Sequence, residues 1–209
     1  MSSPDCMPGL APTAPDHSLL LALALDGRHT PGALARARRD LRACPSLRQL
    51  LGPEPPPGVA AGRWRRLRAV TELMRRAELE ALTEHDILGS PDAVRRFLGL
   101  WLRDRPVECF VGVFVDSQHR VIAACELFRG TLSQTAVYPR EVARQALRLN
   151  AAAVILAHNH PSGVAEPSTA DRLLTDALRQ ALAALEIPVL DHLIVAGSRC
   201  VSFAERGWL

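Results

Sequence analysis

The sequence predicts an α/β domain, a mixed sheet flanked by helices, preceded by a smaller all-helical domain. Three observations carry this. Up to residue 105, apolar residues recur at spacings of three and four, the period of a helix with one buried face. Near Arg105–Pro106 the texture changes to short apolar runs bounded by turn residues, Val107–Val115 and Val121–Leu127. Beyond residue 138, helical patterns alternate with such runs, as in domains that cover both faces of a sheet.

Taken in order, residues 1–15 are rich in Pro, Ser and Ala and read as a flexible tail. Residues 16–25, 33–43 and 46–51 carry short helical patterns. Pro53, Pro55, Pro56 and Pro57 make 52–62 a loop. A longer helix is predicted from Arg63 to Leu82, with Leu67, Val70, Leu73, Met74, Ala77, Leu79 and Leu82 on its apolar face. Ser90 followed by Pro91 places a cap and a pre-set φ in the right order for a helix reaching Leu102. The helical domain thus spans 16–105 and the α/β domain 106–209.

In the second domain Asp116-Ser117-Gln118 supplies turn chemistry between two strands, predicting a hairpin. A third strand is expected near Thr131–Tyr138. Pro139 opens a helix containing Val142, Ala143, Ala146, Leu147 and Leu149. Ala152–Ala157 is wholly apolar, as a strand covered on both faces should be. His158–Pro167 is a loop. Ser168 starts a helix whose stripe is Leu173, Leu174, Ala177, Leu178, Ala181, Leu182 and Leu185, ended by Pro188. Val189–Ala196 and Cys200–Phe203 are the last strands, and no internal repeat is found.

Composition narrows the setting. Of 209 residues, 48% are hydrophobic, enough for a sizeable core. The five cysteines form no CxxC pair, and their odd number suits a reduced compartment; Cys109 and Cys125 lie in apolar runs and read as core. Leu19–Leu25 is too short to span a bilayer, and Asp5 rather than a basic segment precedes it, so no leader or anchor is expected and the cytoplasm is the expected location. All 25 basic residues are Arg; the net charge of +3 is carried by the first half, which permits nucleic-acid contact without demanding it.

The chemistry is concentrated in His158-Asn159-His160-Pro161-Ser162-Gly163 and Pro167-Ser168-Thr169-Ala170-Asp171. Two histidines at i and i+2 where a strand ends point to the same side, with Asn159 opposite. Pro161 forces the chain out of the sheet, and the loop through Gly163 can bring back a third ligand, Asp171, on the first turn of a helix, where the dipole favours a carboxylate. Two His and one Asp leave a fourth position for water, the composition of a catalytic rather than a structural zinc site. His17, His29, His85 and His119 lack ligand spacing. HxH alone is a weak signal, and SxxD alone is an ordinary helix cap; their combination between an apolar strand and a helix start is what is specific.

HxH, seven residues, then SxxD is the JAMM (MPN-type) metallohydrolase motif. Its form here resembles the bacterial RadC family, as do Gly130-Thr131, Pro139-Arg140-Glu141, Asp191-His192 and Ser202-Phe-Ala-Glu-Arg-Gly-Trp208. The likeness is close over 106–209 and loose over 16–105, where the family has a helix-hairpin-helix. It implies a cytidine-deaminase-like (JAMM) sheet, Zn2+ held by His158, His160 and Asp171, and Ser168 donating to the transition-state oxyanion. It also implies a glutamate general base at the start of a core strand. Glu108, directly before Phe110, Val111 and Val113, fits; Glu141, at a helix start, is the rival. Asp191-His192 reads equally as support that orients a ligand or as a polar pair at a strand edge.

Two departures bear on function. JAMM peptidases acting on ubiquitin-like tags usually carry Ser or Thr where this chain has Asn159, which leaves the peptide or protein substrate open. The helix-hairpin-helix turn appears here as Pro55-Pro-Pro-Gly58-Val-Ala-Ala-Gly62, with prolines in place of amide donors; Arg63, Arg65, Arg66 and Arg68 could still meet phosphates. The expectation is a zinc-dependent metallopeptidase of the amide or isopeptide type; the alternative is a DNA-repair or DNA-processing accessory protein whose metal domain is a binding module. No membrane partner is expected.

Overall fold

The computed structural model describes residues 17–27, 30–44, 46–52, 54–130 and 137–209. The expected tail lies outside the described residues. So does 131–136, most of the expected third strand; Val137 and Tyr138 have no strand pairing and lead into a helix. The chain divides into two compact units, Met1–Val70 and Thr71–Leu209.

The first unit holds α1 (His17–Asp26), α2 (Pro31–Ala43), α3 (Leu47–Leu51) and the start of α4 (Ala61–Glu84). Thr30 and Ser46 cap α2 and α3 by accepting from Ala33 N and Gln49 N. Leu21, Ala22, Leu25, Ala33, Ala37, Leu50, Val59 and Leu67 form the core. Gly58 has φ +82°, and a Cβ there would sit 3.3 Å from that of Ala43; only glycine takes this turn without strain.

The arginines that lead α4 fasten this unit. Arg63 bonds Asp40 through Nε at 2.7 Å and both oxygens of Asp26 through Nη1 at 3.0 Å. Arg66 donates to the carbonyl of Leu25 at 2.7 Å and Arg68 to that of Leu51 at 3.1 Å. The positive first half is therefore partly an internal scaffold.

The division falls within α4. Leu67 is buried in the first core and Leu82 in the second, while Val70, Leu73 and Met74 are exposed. The predicted single apolar face is thus broken, because the two ends of the helix serve different cores. The expected boundary at 105–106 marks a change from helix to strand rather than a change of core: Leu82, Ile87, Val94, Phe97, Leu98 and Leu102 pack with the sheet.

The second unit continues through a 3-10 turn (Ile87–Gly89) and α5 (Pro91–Leu102). Ser90 does not cap α5 with its side chain; its N–H closes the preceding turn onto the Ile87 carbonyl, and its backbone (φ −142°, ψ 64°) is shaped by that turn. Then follow β1 (Cys109–Val115), β2 (Val121–Arg129), α6 (Pro139–Arg148), β3 (Ala153–Asn159), α7 (Thr169–Ala183), β4 (Val189–Ala196) and β5 (Arg199–Ser202). The hairpin turn forms as expected: Asp116 accepts from the N–H groups of Gln118 and Arg120, and His119 takes the left-handed conformation.

The sheet order is β2-β1-β3-β4-β5, antiparallel except for β3 and β4, which α7 connects. Side-chain alternation assigns the faces. Val111, Val113, Val115, Ile155, Ala157, Leu193 and Val195 face α5 and the end of α4. Phe110, Phe114, Val154 and Leu156 face α6 and α7, against Val142, Ala146, Leu178 and Leu182. In α7 the expected stripe is corrected: Leu173 and Leu185 are exposed, and the buried row runs Asp171, Thr175, Leu178, Leu182. Two polar residues at its N-terminal end carry the core face into a site.

Candidate metal centre

β3 ends at Asn159 with His158 on the α7 face, buried and stacked 6.1 Å from Phe110. His160 keeps one ladder bond, N–H to the carbonyl of Val195 at 2.9 Å. The chain then turns at Gly163, φ +79°, and the carbonyl of Val164 accepts from His160 Nδ1 at 2.7 Å. The loop returns at Ser168, which caps α7 in a reciprocal box. Ser168 Oγ accepts from Asp171 N at 3.1 Å, and Ser168 N donates to Asp171 Oδ2 at 2.7 Å. The Ser168 hydroxyl also donates to Asp171 Oδ2 at 2.6 Å.

These bonds aim three groups at one point. His158 Nε2 lies 3.0 Å from His160 Nε2 and 3.2 Å from Asp171 Oδ1; His160 Nε2 lies 3.5 Å from Asp171 Oδ2. The three ligand atoms fall within 4.8 Å of one another, the one such His/Cys/Asp/Glu group among the described residues. His160 gives its Nδ1 proton to a carbonyl, so in the neutral ring Nε2 is a bare lone pair. Lone pairs and a carboxylate facing one another at this range form a place that a cation could fill. The donor set of two imidazoles and one carboxylate suits zinc with a position left open.

Without a metal, a proton shared between the rings and the carboxylate takes the cation's place, and the electrostatics describe that state. Burial alone would raise Asp171, but hydrogen bonds from His158 and His160, the His158 charge and the Ser168 hydroxyl outweigh it and hold the carboxyl well below its usual range. His160 is raised above its ordinary value, chiefly by the Asp171 bond, against burial; the Val164 carbonyl and the charges of Asp171 and Glu108 add to it. His192, fully buried, is held well below the ordinary histidine value, first by burial and then by the neighbouring His158 charge.

Glu108 stands one residue before β1. The β1–β3 register pairs Phe110 with His158 and, extended two residues past the strand ends, sets Glu108 opposite His160, whose charge Glu108 stabilises. Glu141, in the first turn of α6, forms ion pairs with Arg140 and Arg144. Asn159 points to the opposite face. Its Oδ1 accepts from Cys109 N at 2.8 Å, and its Nδ2 donates to the carbonyls of Val107 at 3.1 Å and Arg105 at 3.4 Å. The residue between the two histidines therefore anchors the backbone on both sides of Glu108.

Asp191 and His192, read together in sequence, part company. Asp191 takes N–H bonds from His192 and Ala204 and the hydroxyl of Ser202, tying down the C-terminal turn. His192 turns inward and meets His158 Nδ1 at 2.9 Å. The C-terminal motif backs it: Phe203 stacks on His192 at 5.0 Å, Trp208 packs edge-on against Phe203, and Arg172 and Arg206 lie over the Trp208 ring. Thr175, which joins the network through His192 Nδ1 at 2.6 Å, was missed by sequence reading. Its signal is its position, four residues after Asp171 on the buried row.

A three-layer α/β unit with this histidine–histidine–aspartate pocket at the carboxyl end of β3 defines the class, and residues 88–208 match the RadC-like JAB domain family. The chain is 48% identical over 204 residues to a UPF0758 protein of Chromobacterium violaceum, covering 95% of this chain and 91% of that one. It is 53% identical over 178 residues to a UPF0758 protein of Thiobacillus denitrificans (85% and 75%), and 54% over 151 residues to that of Nitrosomonas europaea (72% and 67%). The chain belongs to the RadC family. No described helix is long and apolar enough to cross a membrane.

Proposed function

We propose that the chain is a zinc-dependent hydrolase of amide bonds, of the peptidase or isopeptidase type. The observation that carries this is the convergence of His158 Nε2, His160 Nε2 and the Asp171 carboxylate within 4.8 Å; the β1–β3 register, extended two residues, sets Glu108 opposite His160. Zinc held by the three residues supplies a Lewis acid that brings a water toward ionisation near neutral pH.

The chain's own groups do the rest. Glu108 takes a proton from the attacking water and returns it to the departing amine, the work of a general base and then a general acid. Ser168 donates its single hydroxyl proton to the oxygen that becomes negative as the carbonyl is attacked; with no substrate present the same O–H donates to Asp171 Oδ2. Glu141 is the weaker candidate for the base, because two arginines already share its carboxylate.

The test is cleavage of a peptide library by the zinc-loaded chain. Wild type should cleave, His158→Ala should lose metal and cleavage together, and Glu108→Gln should keep metal and lose cleavage. Full activity in Glu108→Gln would remove Glu108 as the base.

A further inference from the structure

We infer that Thr175 and His192 are positioning residues that fix the tautomer of His158, so that its Nε2 is presented unprotonated to a metal. This rests on the reading of His158 as a ligand, and it names residues outside the three-ligand set.

The argument follows from donor and acceptor counts along one buried chain of atoms. Thr175 Oγ1 lies 2.6 Å from the backbone carbonyl of Asp171 and 2.6 Å from His192 Nδ1. A carbonyl can only accept, so the Thr175 proton goes to Asp171 O. The hydroxyl oxygen must then accept from His192, which puts that ring's proton on Nδ1. His192 Nε2, 2.9 Å from His158 Nδ1, is left as an acceptor. In its neutral form His158 therefore carries its proton on Nδ1 and turns a bare Nε2 toward Asp171 and His160. The carbonyl at the far end makes the order run one way only.

The surroundings hold the chain in place. His192 is fully buried and Thr175 is 1% exposed, so water does not supply a substitute partner. His192 lies edge-on to Phe110 at 5.5 Å and stacked on Phe203 at 5.0 Å. The two rings set its plane, as Phe110 does for His158. The relay also closes on the site. Its terminal carbonyl belongs to Asp171, so one residue gives its side chain to the metal position and its backbone to the orientation of His158.

The experiment uses the full chain, first without metal. Long-range proton–nitrogen correlation spectra of 15N-histidine protein should show His158 and His192 both protonated at Nδ1. Zinc affinity is then measured by competition with a chelator. Thr175→Val, which keeps the shape and removes the hydroxyl, should move His192 and His158 off the Nδ1-protonated form. It should weaken zinc about 10- to 100-fold, the usual cost of losing a partner behind a ligand. Thr175→Ser should restore both readouts. His192→Gln, whose carbonyl oxygen can accept from His158, should bind zinc more tightly than His192→Leu. The inference is overturned if metal-free wild type carries the His158 proton on Nε2, or if Thr175→Val leaves affinity and tautomers unchanged. If wild type binds no zinc, the metal reading fails separately, and the metal-free spectra still decide the relay.

Discussion

In the helical unit Arg63 lies between Asp26 and Asp40, and its charge is answered by two carboxylates within 3.0 Å. In the sheet unit His158, His160 and Asp171 lie as close to one another, yet two imidazole nitrogens face each other at 3.0 Å. The first arrangement is closed: with Arg36 beside Asp26 at 3.3 Å, two guanidinium groups meet two carboxylates and hold helices together. The second is open, because its donors are spent on Val164 and His192 and its acceptors point at a common centre. A buried polar cluster is thus a fastener when its charges balance internally and a site when they do not.

Breaking each region should have different consequences. Glu108→Gln should cut peptide hydrolysis by two to four orders of magnitude, the range for a general base, with zinc content and unfolding midpoint unchanged; Glu141→Gln should leave the rate near wild type. Asp40→Ala leaves a buried guanidinium short of a partner and should destabilise the helical unit by about 3 kcal/mol in denaturant titration. Zinc binding should be untouched, and a loss of zinc in that variant would blur the contrast between the two regions.

Asn159→Leu tests the link between the histidine strand and the segment that carries Glu108. It strands one N–H and two carbonyls and should cost about 2 kcal/mol, with faster hydrogen exchange at Cys109; Asn159→Asp should be no better, since a carboxylate accepts only and would face two carbonyl oxygens. The smallest effect expected is on nucleic acid. With Arg63, Arg66 and Arg68 engaged within the helical unit, duplex DNA at about 150 mM salt should bind with a dissociation constant no tighter than roughly 0.1 mM, the weak end of the non-specific range. Tighter, strongly salt-dependent binding would show that these arginines serve a second purpose.

Much of this was legible in the residues. The helices of the first half, the hairpin at Asp116, the central strand and the convergence of His158, His160 and Asp171 follow from period, turn chemistry and spacing. What escaped has a common physical cause. Thr175 and Leu173 are both compatible with the helical pattern of α7, and only packing decides that threonine is buried and leucine exposed. Asp191 and His192 are neighbours in sequence but lie on opposite faces of β4, so one pattern concealed two roles. The domain boundary was drawn where helix gives way to strand, whereas compactness follows the core, and α5 belongs to the sheet. In the sequence Asn159 only leaves the substrate open; its three backbone bonds are visible only when residues 105–109 are placed beside β3.

The most direct test is a zinc titration of the purified chain alongside Asp171→Asn. Wild type should take up one zinc per chain, and the asparagine variant, which keeps the side-chain shape and loses the charge, should retain none after dialysis. A wild-type chain that ignores zinc, or an Asp171→Asn variant that binds it as tightly, would contradict the claim that these three side chains form an open metal site.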